Sequence, residues 1–119
     1  MALFKVEKDV TITNPKDQIS ISVDHKSLIG TESYHIIDIP KNETYYDHEW
    51  RNEGSVIIGK AAQFIGKHII IYSKALNLKD DIAIVAINYN VNGVICYAHE
   101  NLKKEDATPS IILTVNFKK

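Results

Sequence analysis

Cysteine occurs once, at Cys96, so no intramolecular disulfide can form and one chain cannot assemble a zinc site from thiolates. Charge of one sign is also scarce. Fourteen Lys and Arg stand against fifteen Asp and Glu, for a formal charge of -1, and neither sign is gathered into a block. A nucleic-acid partner requires a basic footprint that displaces counterions from phosphate, and this chain offers none. The same near-neutrality leaves little repulsion between copies, so self-association is not opposed.

Long apolar runs are missing as well. No stretch approaches the roughly 18 consecutive apolar residues of a membrane-spanning helix, and "MALFKVEKDV" is broken by Lys5, Glu7, Lys8 and Asp9 before a signal-peptide core could form. These absences lead to the expectation of a cytoplasmic protein without membrane insertion; export that uses no cleaved signal is compatible with them. There is no internal repeat, low-complexity tract or linker. The five histidines, His25, His35, His48, His68 and His99, show no H-x-x-x-H or related ligand spacing, which gives no reason to expect a metal.

What is present is a two-residue rhythm. With 119 residues, 45% of them apolar and 24% charged, the chain has the size and composition of one folded domain and lacks the signature of disorder. In "QISISVD", Ile19, Ile21 and Val23 share one face and Gln18, Ser20, Ser22 and Asp24 the other, the pattern of a half-buried strand. Ile111, Leu113, Val115 and Phe117 repeat it near the C-terminus, with Ile112 the exception. "HIIIYSKAL" and "DIAIVAINYNV" are apolar on both faces at their starts, as in central strands. Weaker strands are expected at "ALFKV", "VTIT", "SYHIIDI" and "SVII". Turn residues lie at Asn14 to Asp17, Ser27 to Thr31, Asn77 to Asp80 and Asn101 to Pro109. Only Lys60 to Lys67 reads as helical, for a turn or two closed by Gly66. The fold class expected is all-β: a single-domain antiparallel sandwich over residues 1–119, of seven to nine strands, resembling immunoglobulin-like or C2-like domains in general architecture alone.

Asn92-Gly93 predicts a type I′ hairpin, because both central residues of that turn need positive φ. A strict two-residue register then sets Val91 opposite Val94, Tyr89 opposite Cys96 and Ile87 opposite Ala98 on the core face. Asn90 with Ile95, Asn88 with Tyr97 and Ala86 with His99 fall on a mixed outer face.

"GSVIIGKA" reproduces the G-x4-G-K spacing of a phosphate-binding loop at Gly54, Gly59 and Lys60. However, Ala61 stands where a hydroxyl should reach magnesium, and Ser55 to Ile58 favour a strand over an anion nest. The segment "TYYDHEWRNEG" concentrates aromatic and charged groups. Its plain reading is an edge strand with Tyr46, His48 and Trp50 on one side and Tyr45, Asp47, Glu49 and Arg51 on the other. Its functional reading is a contact surface anchored by Trp and Tyr, within a connection long enough to suit binding.

The leading expectation is therefore a non-catalytic module that works by protein-protein contact, with itself or a partner. Its candidate residues are Tyr45, Tyr46, Asp47, His48, Glu49, Trp50 and Arg51, joined by Tyr97 and His99 from the mixed face. A carbohydrate-binding module is the alternative, with Trp50 and a tyrosine stacking on a sugar ring; a small hydrolase using His48 or His99 comes third. No cofactor, metal or catalytic residue is called for, and a buried Cys96 implies no nucleophile.

Overall fold

Ile19, Ile21 and Val23 turn inward with at most 1% of their surface exposed, while Ser20 and Ser22 stay half-exposed, so the alternation in the sequence is the alternation of a sheet lying on a core. The structure, a computed structural model, describes residues 3–25, 31–41, 44–51, 54–77, 84–102, 104–105 and 108–119; for 31–32, 39–41, 44–51 and 76–77 it describes the backbone alone. The expected turns around 27–30 and 78–80 lie outside these residues.

Among the described residues nine strands run in chain order: β1 Leu3–Thr11, β2 Gln18–His25, β3 Thr31–Lys41, β4 Thr44–Arg51, β5 Gly54–Lys60, β6 His68–Asn77, β7 Ile84–Val91, β8 Val94–Leu102 and β9 Ser110–Lys118. One sheet has the order β1-β9-β6-β3-β4 and the other β5-β2-β7-β8. The all-β sandwich expected from the sequence is the fold. "ALFKV" and the start of "VTIT" fall in one strand, β1, which ends at Thr11, and among the described residues the only helical turn is a short 3-10 turn at Ala61–Gln63. Every strand pair is antiparallel except β1 with β9, which is parallel. In keeping with the apolar start of "HIIIYSKAL", β6 is the central strand of its sheet, flanked by β9 and β3.

The core is one contiguous cluster between the sheets, built from Ile19, Ile21 and Val23 of β2, Ile69 and Ile71 of β6, Val85, Ile87 and Tyr89 of β7, and Ile111, Leu113, Val115 and Phe117 of β9. Each fully buried side chain of this size contributes about 1.5–3 kcal/mol. Phe64 closes one end against Phe117 with ring centroids 5.7 Å apart. The glycine pair that imitated a phosphate loop is strand β5. Gly59 has φ +143, a backbone conformation that L side chains rarely adopt, which is what favours glycine at the strand's end; a Cβ there would also lie 2.6 Å from Gln63 Oε1, the movable tip of a side chain.

The hairpin is as predicted at its tip. Asn92 and Gly93 have φ of 51 and 80, and Asn92 also ties β7 to β2: its N–H donates to the Ser20 carbonyl at 2.9 Å, and its Oδ1 accepts from the Ser20 N–H at 2.7 Å. Further along, the strict register fails. Val91 pairs with Val94 and Asn90 with Ile95, but Tyr89 pairs with Tyr97 and Ile87 with His99. Cys96 is the extra residue of a β-bulge, and one extra residue sends every later side chain to the opposite face.

Candidate functional site

The bulge overturns the placement of Tyr97 and His99 on an outer mixed face. His99 is 2% exposed, and Tyr97 is half-buried with its ring stacked on Tyr89 at 5.9 Å. The physical reason is the larger apolar area that two rings bury in place of Cys96 and Ala98. Phe4 of β1 meets the His99 ring edge-on at 4.6 Å, so this contact also holds β1 over β8. His99 is an interior group, and Tyr97 lies partly buried at the margin of the core.

Their proton order is fixed by one amide. Asn101 Nδ2 donates to the Leu102 carbonyl at 3.0 Å, which turns its Oδ1 toward His99 Nε2 at 2.7 Å. His99 therefore carries its proton on Nε2 and accepts on Nδ1 from the Tyr97 hydroxyl, 3.0 Å away. Burial holds the His99 pKa below its ordinary value, with the Asn101 hydrogen bond acting the other way. Cys96 is half-buried, and burial pushes its thiol up, so it is held neutral.

A second polar group spans the sandwich, and sequence order does not reveal it. His25 of β2 reaches across to Ser33 of β3, with Nε2 2.6 Å from Oγ. The same Oγ lies 2.7 Å from His35 Nε2, and His35 Nδ1 lies 2.6 Å from Ser73 Oγ of β6. All four residues are buried. Burial, with His25 nearby, pulls the His35 pKa down to about 3, so the ring is neutral and donates through one nitrogen while accepting through the other. One of the two serines thus donates to His35 and the other accepts from it. Tyr89 packs edge-on to the ring at 6.2 Å. Its hydroxyl is the one buried side-chain polar atom, among the described residues, without a hydrogen bond of full geometry; burial raises its pKa well above the usual phenol range, with the nearby Ser73 hydroxyl acting the other way. The missed signal was parity: His25 continues the run Ile19, Ile21, Val23, and Ser33 and His35 share the inward side with Ile37.

The candidate segment Thr44–Arg51 is strand β4, at the edge of the five-stranded sheet, in keeping with its plain reading and replacing the long irregular connection. Its register sets Tyr45 opposite Pro40, Tyr46 opposite Ile39, Asp47 opposite Asp38, His48 opposite Ile37, Glu49 opposite Ile36, Trp50 opposite His35 and Arg51 opposite Tyr34. The side chains of these candidates lie outside the described residues. Among the described residues there is no group of three or more His, Cys, Asp or Glu able to hold a metal ion.

The two outer faces differ in chemistry. That of the four-stranded sheet carries Ser20, Ser22, Asp24 and Asn88 at its centre and exposed Ile57 (60%) and Ile95 (56%) on the flanking strands, with the buried Asn90 donating through Nδ2 to Asp24 Oδ2 at 2.8 Å. That of the five-stranded sheet is apolar at its centre. The register aligns Lys5, Ile112, Tyr72 and Ile36 in one row, with Leu3, Ser110, Lys74 and Tyr34 on one side of it and Glu7, Thr114, Ile70 and Asp38 on the other. Leu3, Tyr34, Ile36, Tyr72 and Ile112 line an open depression of about 240 Å³. Leu3 is 54% exposed and both tyrosines 38%. Comparison of the chain with protein-family models, curated proteins and solved structures finds no match. No helix among the described residues is long and apolar enough to cross a membrane.

Proposed function

We propose that the protein is a non-catalytic contact module whose working surface is the outer face of the five-stranded sheet. The observation that carries the reading is the depression bounded by Leu3, Tyr34, Ile36, Tyr72 and Ile112. A solvent-facing sheet normally alternates apolar-in with polar-out, and here isoleucines and tyrosines occupy the wet positions of three adjacent strands. Tyrosine and isoleucine at the centre, with charge at the border, is the composition of a contact surface. The burial of the Ser33, His35 and Ser73 group supports the non-catalytic half of the reading, since these hydroxyl and imidazole groups are enclosed between the sheets.

The test is a surface variant that spares the core. Tyr72→Asp with Ile112→Asp should fold with parental stability, because both side chains face outward, and should lose contacts that the parent makes. Light scattering across a concentration series and affinity capture from a native lysate read this out. A parent that stays monomeric at about 1 mM and recovers the same proteins as the variant would overturn the reading.

A further inference from the structure

We infer that the hydroxyl of Ser33 holds His25 and His35 in opposite tautomers, so that the polar link between the two sheets is a proton-ordered chain that reverses only as a whole. This chain lies in the interior of the sandwich and is independent of the contact surface on the outer face.

Ser33 Oγ lies 2.6 Å from His25 Nε2 and 2.7 Å from His35 Nε2, so rings from two different sheets meet one oxygen through the same kind of nitrogen. A serine hydroxyl has a single proton to give, and a neutral imidazole has one N–H and one bare nitrogen. Two bare nitrogens would leave one of them pressed against an oxygen with no proton for it. Two N–H groups would aim both hydrogens at the same oxygen and forgo the mutual polarisation that a head-to-tail chain gains in a low-dielectric interior. The arrangement left is one of each.

The chain then has two orders. In the first, His25 donates through Nε2 to Ser33, Ser33 donates to His35 Nε2, and His35 donates through Nδ1 to Ser73, 2.6 Å away. In the second, Ser73 donates to His35 Nδ1, His35 donates through Nε2 to Ser33, and Ser33 donates to His25 Nε2. Reversing one bond alone would leave a polar atom unpaired among residues at most 6% exposed, which is costly. His25 is the last residue of β2 in the four-stranded sheet, Ser33 and His35 belong to β3, and Ser73 to β6, the central strand of the other sheet. A change of hydrogen bonding at Ser73 is therefore registered at His25, across the sandwich.

The test is the nitrogen-15 spectrum of the histidine rings in the folded full chain at pH 8, which tells an N–H from a bare nitrogen at each position. In the parent, the fraction of His25 protonated on Nε2 and the fraction of His35 protonated on Nε2 should add to unity, whether one order prevails or the two interconvert. Both rings protonated on Nε2, or both on Nδ1, would overturn the inference. Ser73→Ala removes the partner of His35 Nδ1. Because orphaned N–H groups are the rarest buried defects, the His35 proton should settle on Nε2 in this variant, and His25 should then carry its proton wholly on Nδ1. A His25 protonated on Nε2 in folded Ser73→Ala would equally overturn the chain. Should that variant fail to fold, the two fractions in the parent decide.

Discussion

Ser73 Oγ lies 2.6 Å from His35 Nδ1, joining the central strand β6 to its neighbour β3 through side chains as well as backbone. His35 is wholly enclosed, so water cannot replace a lost partner. Ser73→Ala should therefore lower stability by about 1–3 kcal/mol, the cost of leaving a buried polar atom unpaired. Urea unfolding of the variant checks this; an unchanged midpoint would show that the contact is dispensable.

The same ring sets an acid limit on the fold. Its folded pKa near 3 lies below the ordinary histidine value of 6.5, so between these values the unfolded chain binds a proton that the folded chain refuses. Stability should be full above about pH 6.5 and fall with decreasing pH toward 3, by up to about 1.4 kcal/mol per unit. His99, also shifted down, adds a slope of the same sign. Urea midpoints at pH 7.5, 6.5, 5.5 and 4.5 measure it, and a flat profile would contradict the buried neutral imidazole.

Tyr89 is the opposite case. Its hydroxyl is buried without a hydrogen bond of full geometry while its ring stacks on Tyr97 and meets His35. Tyr89→Phe keeps the ring and removes a desolvated oxygen, so it should leave stability unchanged or raise it by about 1 kcal/mol. Tyr89→Leu should cost stability, because the ring contacts go with it. Thermal unfolding of the two variants separates the hydroxyl from the ring.

The bulge at Cys96 can be deleted. Removing that residue restores strict alternation after the hairpin and directs Tyr97, His99 and Asn101 to the wrong face, while Cys96→Ala keeps the count and should be tolerated. The deletion should cost roughly 3–5 kcal/mol, the range for emptying a core site. Amide exchange along Val94–Leu102 should lose protection in the deletion alone.

Alternation carried most of the fold in readable form. The run Gln18 to Asp24, the C-terminal run and the Asn92-Gly93 turn each reduce to a local rule that the sheet obeys. The bulge did not, because it is selected by what Tyr97 and His99 find across the sandwich, and that gain involves Phe4, far away in sequence. The His25, Ser33, His35 and Ser73 group was half legible: parity placed its members inward, but their meeting depends on strand order. The outer face left a trace in Ile112, the one break in the C-terminal alternation, yet only the adjacency of β9, β6 and β3 joins it to Tyr72 and Ile36.

Strand β9 lies between β1 and β6 and pairs with both. During synthesis, then, the first strand waits without its neighbour until residues 110–118 leave the ribosome, and the larger sheet closes only when the last segment slots into a gap between segments made long before. Such late, long-range closure makes for slow folding, and in the interval the half-built layer exposes Ile69 and Ile71 to whatever chaperone or nascent neighbour arrives first.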